Sequence, residues 1–167
     1  MIWFTADYHL SHQNIIKYCN RPFSNVKEMN ATIIKNLESK IKQGDTLYFL
    51  GDLSFKKDVA LLFFETFADI EIHFIIGNHD HTDVINLAEE YCSSISRLKE
   101  IQIENQSITL CHYALRVWNK SHYSTWQLQG HSHGNLDPLR YQYDVGIDNN
   151  NFYHISFQQI KSIMNVE

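Results

Sequence analysis

Proline is nearly missing from this chain, with two residues in 167, and glycine is scarce at six. No low-complexity run and no internal repeat occurs. Collagen-like, linker-like and solenoid architectures are therefore excluded. A basic excess is also missing: 14 Lys and Arg face 19 Asp and Glu, for a net charge of −5. A broad electrostatic grip on duplex nucleic acid needs a basic face, so none is expected. A phosphorylated substrate stays open, because bound metal ions can supply local positive charge. No apolar stretch approaches the length of a membrane span, so no membrane partner is expected. The opening MIWFTADYHL lacks the charged n-region, long h-region and cleavage site of a signal peptide. Cysteines number three, Cys19, Cys92 and Cys111, an odd count without a CxxC pair. Together these absences point to the reducing cytoplasm, with thiols packed in the core.

What is present is a globular composition, 44% hydrophobic and 13% aromatic. The length suits one domain, residues 1–167, with a real core. Apolar runs Ile2 to Thr5, Thr46 to Leu50 and Ile72 to Ile76 predict buried strands. Helices are expected over His12 to Cys19, Val26 to Lys42, Asp58 to Phe67, Asp83 to Tyr91 and Ser156 to Met164. The second has Val26, Met29, Ile33, Leu37 and Ile41 at helical spacing, with Asn25 and Glu28 as a capping box and Gly44 as a stop. Ser156 and Gln159 have capping spacing too. Leu98 to Ile103 and Ser107 to Cys111 predict a hairpin. Ser124 to Gln129 and Tyr141 to Ile147 are later strands. This order predicts an α/β protein with helices packed over sheets.

Polar residues follow the strands in a regular way. After IWFTA comes Asp7-Tyr8-His9, and after TLYFL comes Gly51-Asp52. After IHFII comes Gly77-Asn78-His79-Asp80. SITLC leads into His112, and STWQLQ into Gly130-His131-Ser132-His133. In open α/β sheets, ligands gather at the carboxyl ends of strands. One site can thus be assembled from five separated segments. Imidazole with carboxylate favours ions such as Zn, Mn, Fe or Ni, and the lack of thiolates argues against a finger-type zinc site. Any one of these residues alone would be an ordinary loop residue. The set carries the weight.

DxH, GD, GNH plus an acid, a lone His and GHxH, in this order, resemble the calcineurin-like metallophosphoesterase superfamily. All the blocks stand here without substitution, over residues 7 to 133. TADYHLSHQNIIKYCNRPF and YDVGIDN are similar to its small single-domain bacterial and phage members. The resemblance implies a two-sheet β-sandwich flanked by helices, with a dinuclear metal site at one edge. It implies that Asp7, His9 and His133 hold one divalent ion and Asn78, His112 and His131 the other, with Asp52 bridging. The ions would be Mn, Fe, Zn, Ni or Mg, with Mn favoured. It further implies a hydrolase that cleaves phosphate esters, nucleotide-type phosphodiesters above all, by attack of a metal-bridging hydroxide. His79 would stabilise the phosphoryl group or protonate the leaving oxygen, and Asp80 would orient that imidazole.

Further candidates for substrate contact are His12, Arg21 and Arg116, since either arginine could take phosphate bidentately. Asp144 and Asp148 read as turn or supporting groups. Trp118, Trp126 and Tyr123 suit core packing better than base stacking. Two competing functions remain: a phosphomonoesterase, and a non-catalytic binding scaffold on the same fold. Specificity would lie in residues 10 to 25 and 114 to 127. The oligomeric state is not written in the sequence.

Overall fold

A computed structural model describes residues 1–137 and 139–164. The elements, in chain order, begin with β1 (Ile2–Thr5), α1 (Ile15–Tyr18), α2 (Val26–Glu38), β2 (Thr46–Phe49), α3 (Lys57–Thr66), β3 (Glu71–Ile75) and α4 (Thr82–Tyr91). There follow β4 (Ser94–Ser96), β5 (Leu98–Ile103), β6 (Gln106–Cys111), β7 (Trp126–Gln129), β8 (Gln142–Asp144), β9 (Ile155–Ser156) and α5 (Phe157–Met164). They build two sheets flanked by helices, as expected. The first has strand order β4-β3-β2-β1-β9, and the second β5-β6-β7-β8.

Strands β1 to β4 run parallel, and β9 closes the edge antiparallel to β1. Their apolar runs are continuous because both faces are covered. Trp3, Leu47, Phe49, Ile72 and Phe74 point into one core with Met29, Ile33, Leu37, Phe63, Val84 and Leu87 of the helices. Phe4, Tyr48, Leu50 and Ile75 alternate to the other face, where they meet Ile108, Leu110, Trp126 and Leu128 of the second sheet. Period-two alternation thus feeds two cores from the same strands.

Caps define the helices. In α2 the Asn25 side chain accepts a bond from Glu28 N (2.9 Å), while Glu28 Oε2 reaches back to Ser24 N (2.8 Å). In α5, Gln159 Oε1 accepts from Ser156 N (3.0 Å), the reciprocal bond of a capping box. Helix α2 stops at Glu38, short of Lys42, and α1 is a single turn inside the longer helix expected. The hairpin of β5 and β6 is antiparallel, pairing Ile103 with Gln106. Its turn places Glu104 at positive φ (53°). The strand expected over Tyr141 to Ile147 shortens to β8, because Ile147–Asn149 turns into a 3₁₀ helix. No helix is long and apolar enough to cross a membrane, among the described residues.

Strands β6, β7 and β8 are parallel to one another. Their carboxyl ends meet those of β1 to β3 at one edge, where Ala6 bridges to Gly146 across the two sheets. That edge is where the five polar segments converge.

Candidate metal centre

The backbone binds these segments to each other. Asp7 N donates to Gly51 O (3.0 Å), His9 N to Asp52 O (2.9 Å), and Gly130 N to His112 O (3.0 Å). Side chains add further ties: Asp7 Oδ2 accepts from His131 N (2.9 Å), and Asp52 Oδ1 from His79 N (2.9 Å). Packing here is so close that glycine is required. A Cβ on Gly51 would lie 2.5 Å from Gly77 N, and one on Gly77 would overlap the Asp52 carboxylate.

Asp7, His9, Asp52, His131 and His133 all have positive φ, between 49° and 67°. Non-glycine residues rarely adopt this region, at a cost of about 1–3 kcal/mol each. Such a concentration of strain persists only because the surrounding structure holds these residues in place.

Two groups of donors result. Asp7, His9 and His133 offer ligand atoms within 4.8 Å of one another, and Asp52, His112 and His131 form a second such group. Asp52 lies between the two. Its Oδ2 is 3.4 Å from His9 Nε2 and 3.5 Å from His112 Nε2. Asn78 joins the second group, with Oδ1 2.9 Å from His112 Nε2. The outer ring nitrogens are occupied: His112 Nδ1–H donates to Leu50 O (2.7 Å) and His133 Nδ1–H to Asp148 Oδ2 (2.6 Å). Each bond fixes the ring so that Nε2 points into the site, where its lone pair becomes available to a cation once the proton on it is displaced. The Nδ1 partner is the usual second partner of a metal-binding histidine.

Among the described residues, buried Asp7 Oδ1 and His9 Nε2 have no hydrogen-bond partner. Orphaned lone pairs at zero and 2% residue exposure are costly unless a ligand takes them. Here both converge with His133, so the donor set fits a divalent cation.

Electrostatics agree with that fit. Burial pushes the Asp7 carboxyl up to about 7. Burial also holds His9 down to about 3, so its ring is neutral. Burial disfavours the charge on Asp52, but the hydrogen bond and charge of His112, with His9, outweigh it and lower the carboxyl to about 2. His112 follows the same pattern: burial opposes its charge, yet Asp52 and Asp7 raise it to about 9. His133 likewise rises to about 10 against burial, chiefly through Asp148. Acid and imidazole thus compete for protons that a bound cation would displace.

Several expected roles change. Asp80 does not touch the His79 imidazole. Its carboxylate accepts from Asp52 N (2.9 Å), Leu53 N (3.0 Å) and Gly77 N (2.8 Å), which ties the loops after β2 and β3 together. Arg21 is not free for phosphate. It is buried, gives Nε and Nη2 to the two oxygens of Asp148 (2.8 and 2.7 Å), and reaches Asp7 O and Tyr8 O. Asp148 therefore supports the first group through His133, with Arg21 behind it. Arg116 is exposed on the loop after β6, while His12 packs 5.8 Å from the His9 ring, centroid to centroid. Trp126 is core, whereas Tyr123 is 72% exposed. Cys19, expected in the core, lies within ligand reach of His133 and Asp148. No spacing in the sequence announced that approach, because α1 brings Cys19 in from a different segment.

A protein from Methanocaldococcus jannaschii, uncharacterized protein MJ1445, is 33% identical to this chain over 172 residues, covering 98% of this chain and 90% of that one. The chain belongs to the family of that protein. No family model matches. Among solved structures, the protein of unknown function AQ665 from Aquifex aeolicus superposes with a TM-score of 0.78 at 22% identity, over 98% of both chains. An archaeal phosphodiesterase superposes with a TM-score of 0.50 at 14% identity, over 87% of this chain and 82% of that one. The chain therefore has a fold seen in a phosphodiesterase structure.

Proposed function

We propose that this protein is a metal-dependent phosphodiesterase of the calcineurin-like metallophosphoesterase type, acting on nucleotide-type substrates. The observation that carries the reading is the position of Asp52 Oδ2, 3.4 Å from His9 Nε2 and 3.5 Å from His112 Nε2, between two donor groups. Asp7, His9 and His133 would hold one ion, and His112, His131 and Asn78 the other, with Asp52 shared. Such ions, with Mn favoured, supply Lewis-acid charge at the phosphoryl oxygens and an activated water.

The chain's own residues do the rest. Asp52 stays ionised and fixes the His79 backbone through Oδ1. His79, half-buried beside His9 at 5.4 Å between ring centroids, faces the site to stabilise the phosphoryl group or give a proton to the leaving oxygen. Leu50 O and Asp148 fix which nitrogen of His112 and His133 faces inward. Tyr113, 45% exposed, stands 4.9 Å from the His131 ring and 5.2 Å from the His112 ring. An exposed aromatic face beside the second group suits a nucleobase, which supports the nucleotide reading.

The test is hydrolysis of bis(p-nitrophenyl) phosphate with Mn²⁺, beside the mono-ester and an Asp52→Asn control. Diester turnover that vanishes in the control is expected. Turnover of the mono-ester alone, or diester turnover that survives Asp52→Asn, would overturn the proposal.

A further inference from the structure

Phe55 follows the Gly51–Ser54 stretch, and its half-buried ring sits among histidines. His12 and His79 pack against it edge to face, with centroids at 4.6 and 5.0 Å and interplanar angles of 76° and 85°. His81 stacks on it at 5.6 Å and 28°, and His9 lies at 6.3 Å. The loop that presents this ring is anchored. Ser54 Oγ donates to Leu10 O (2.9 Å), Lys56 N donates to Ser54 Oγ (3.0 Å), and Leu10 pairs with Ser54 in a parallel bridge.

His79 is secured differently. Its backbone N–H is fixed by Asp52, but among the described residues no hydrogen bond holds its imidazole. The adjacent Asp80 carboxylate is committed to three backbone donors instead. What restricts the imidazole is its packing against Phe55 on one flank and His9 at 5.4 Å on another. Edge-to-face ring pairs have preferred distances and angles, so an anchored ring narrows the orientations its neighbour can take.

We propose that Phe55 is the positioning residue for the His79 imidazole and holds His12 in the same cluster. The inference rests on the phosphodiesterase reading and on the part His79 plays in it. A misplacement of about 1 Å in an active site can cost on the order of 100-fold in rate, so loss of the flanking ring falls on turnover more than on binding.

A mutant cycle tests this with Mn²⁺ and bis(p-nitrophenyl) phosphate. Phe55→Ala is expected to lower kcat about 10- to 100-fold with KM nearly unchanged. Phe55→Tyr, which keeps the ring, recovers most of the rate. In a His79→Ala background, Phe55→Ala has less than about a twofold further effect. An equal loss in both backgrounds would show that Phe55 does not act through His79. If His79→Ala alone leaves kcat intact, the failure lies in the role given to His79, and the positioning claim is then decided by the rotamer readout alone. A second readout needs neither metal nor turnover. The χ1 couplings of His79 in the metal-free protein should report one rotamer in the parent and averaging in Phe55→Ala; unchanged couplings refute the inference. Should Phe55→Ala not fold, Phe55→Leu, which keeps bulk without the aromatic edge, makes the same comparisons.

Discussion

Asp80→Ala removes one buried carboxylate and strands the backbone N–H groups of Asp52, Leu53 and Gly77, which now bond to it at 2.8–3.0 Å. Each buried donor left unpaired costs about 1–3 kcal/mol. The loss is offset in part, because burial raises the Asp80 pKa and truncation relieves a carboxylate charge held out of water. The net expectation is a destabilisation of about 3–5 kcal/mol, a large share of the ~5–15 kcal/mol that holds a typical domain. For a chain of this length that lowers Tm by about 6–20 °C. Urea unfolding in EDTA, with the m-value held constant, measures it without metal contributing. His79→Ala, by contrast, should change stability little, since His79 is only half-buried. A loss below about 1 kcal/mol in Asp80→Ala, joined to a kcat loss equal to that of His79→Ala, would refute the reasoning and return Asp80 to the imidazole.

Arg21→Lys should destabilise by about 2–4 kcal/mol and weaken Mn²⁺ binding, since an ammonium cannot fork onto both Asp148 oxygens; a raised KM at unchanged Tm would mean phosphate contact instead. Gly77→Ala places a Cβ 2.7 Å from Asp52 N and into its carboxylate, so Mn²⁺ affinity should fall about 10-fold or more by calorimetric titration. His154 is buried with neither ring nitrogen partnered among the described residues, and burial, with Lys40, holds it down to about 4. Its folded pKa lies below the ordinary 6.5, so the unfolded chain takes up the proton first. Stability should therefore fall as pH drops from 6.5 toward 4, by about 3 kcal/mol at about 1.36 kcal/mol per unit. His154→Phe should flatten that part of the stability profile, and an unchanged profile would contradict a buried neutral ring.

Much of the fold was legible because its physical signals are local. Strands β1 to β3 are apolar on both faces and stand out as runs, and Asn25 with Glu28 announces α2. The donor groups were legible for a related reason: parallel strands place their carboxyl ends at one edge, so the residues that follow the strands are nearly the residues that converge there. Short edge strands were not. Ser94–Ser96 and Ile155–Ser156 carry too few residues for a period, and only pairing with β3 and β1 makes them strands. The supporting contacts were hidden for a different reason. Asp80 is adjacent to His79 in sequence, yet its carboxylate turns to the loop after β2, and Arg21 meets Asp148 across 127 residues. Phe55 carries no polar atom and looks like any loop aromatic until four histidines surround it.

Crystals grown metal-free and soaked in Mn²⁺ test the central claim most directly, by anomalous scattering at the manganese edge. Two peaks per chain are expected, one among Asp7, His9 and His133 and one among Asn78, His112 and His131, with Asp52 between them. A single ion, or ions bound away from Asp52, would contradict a dinuclear phosphodiesterase site.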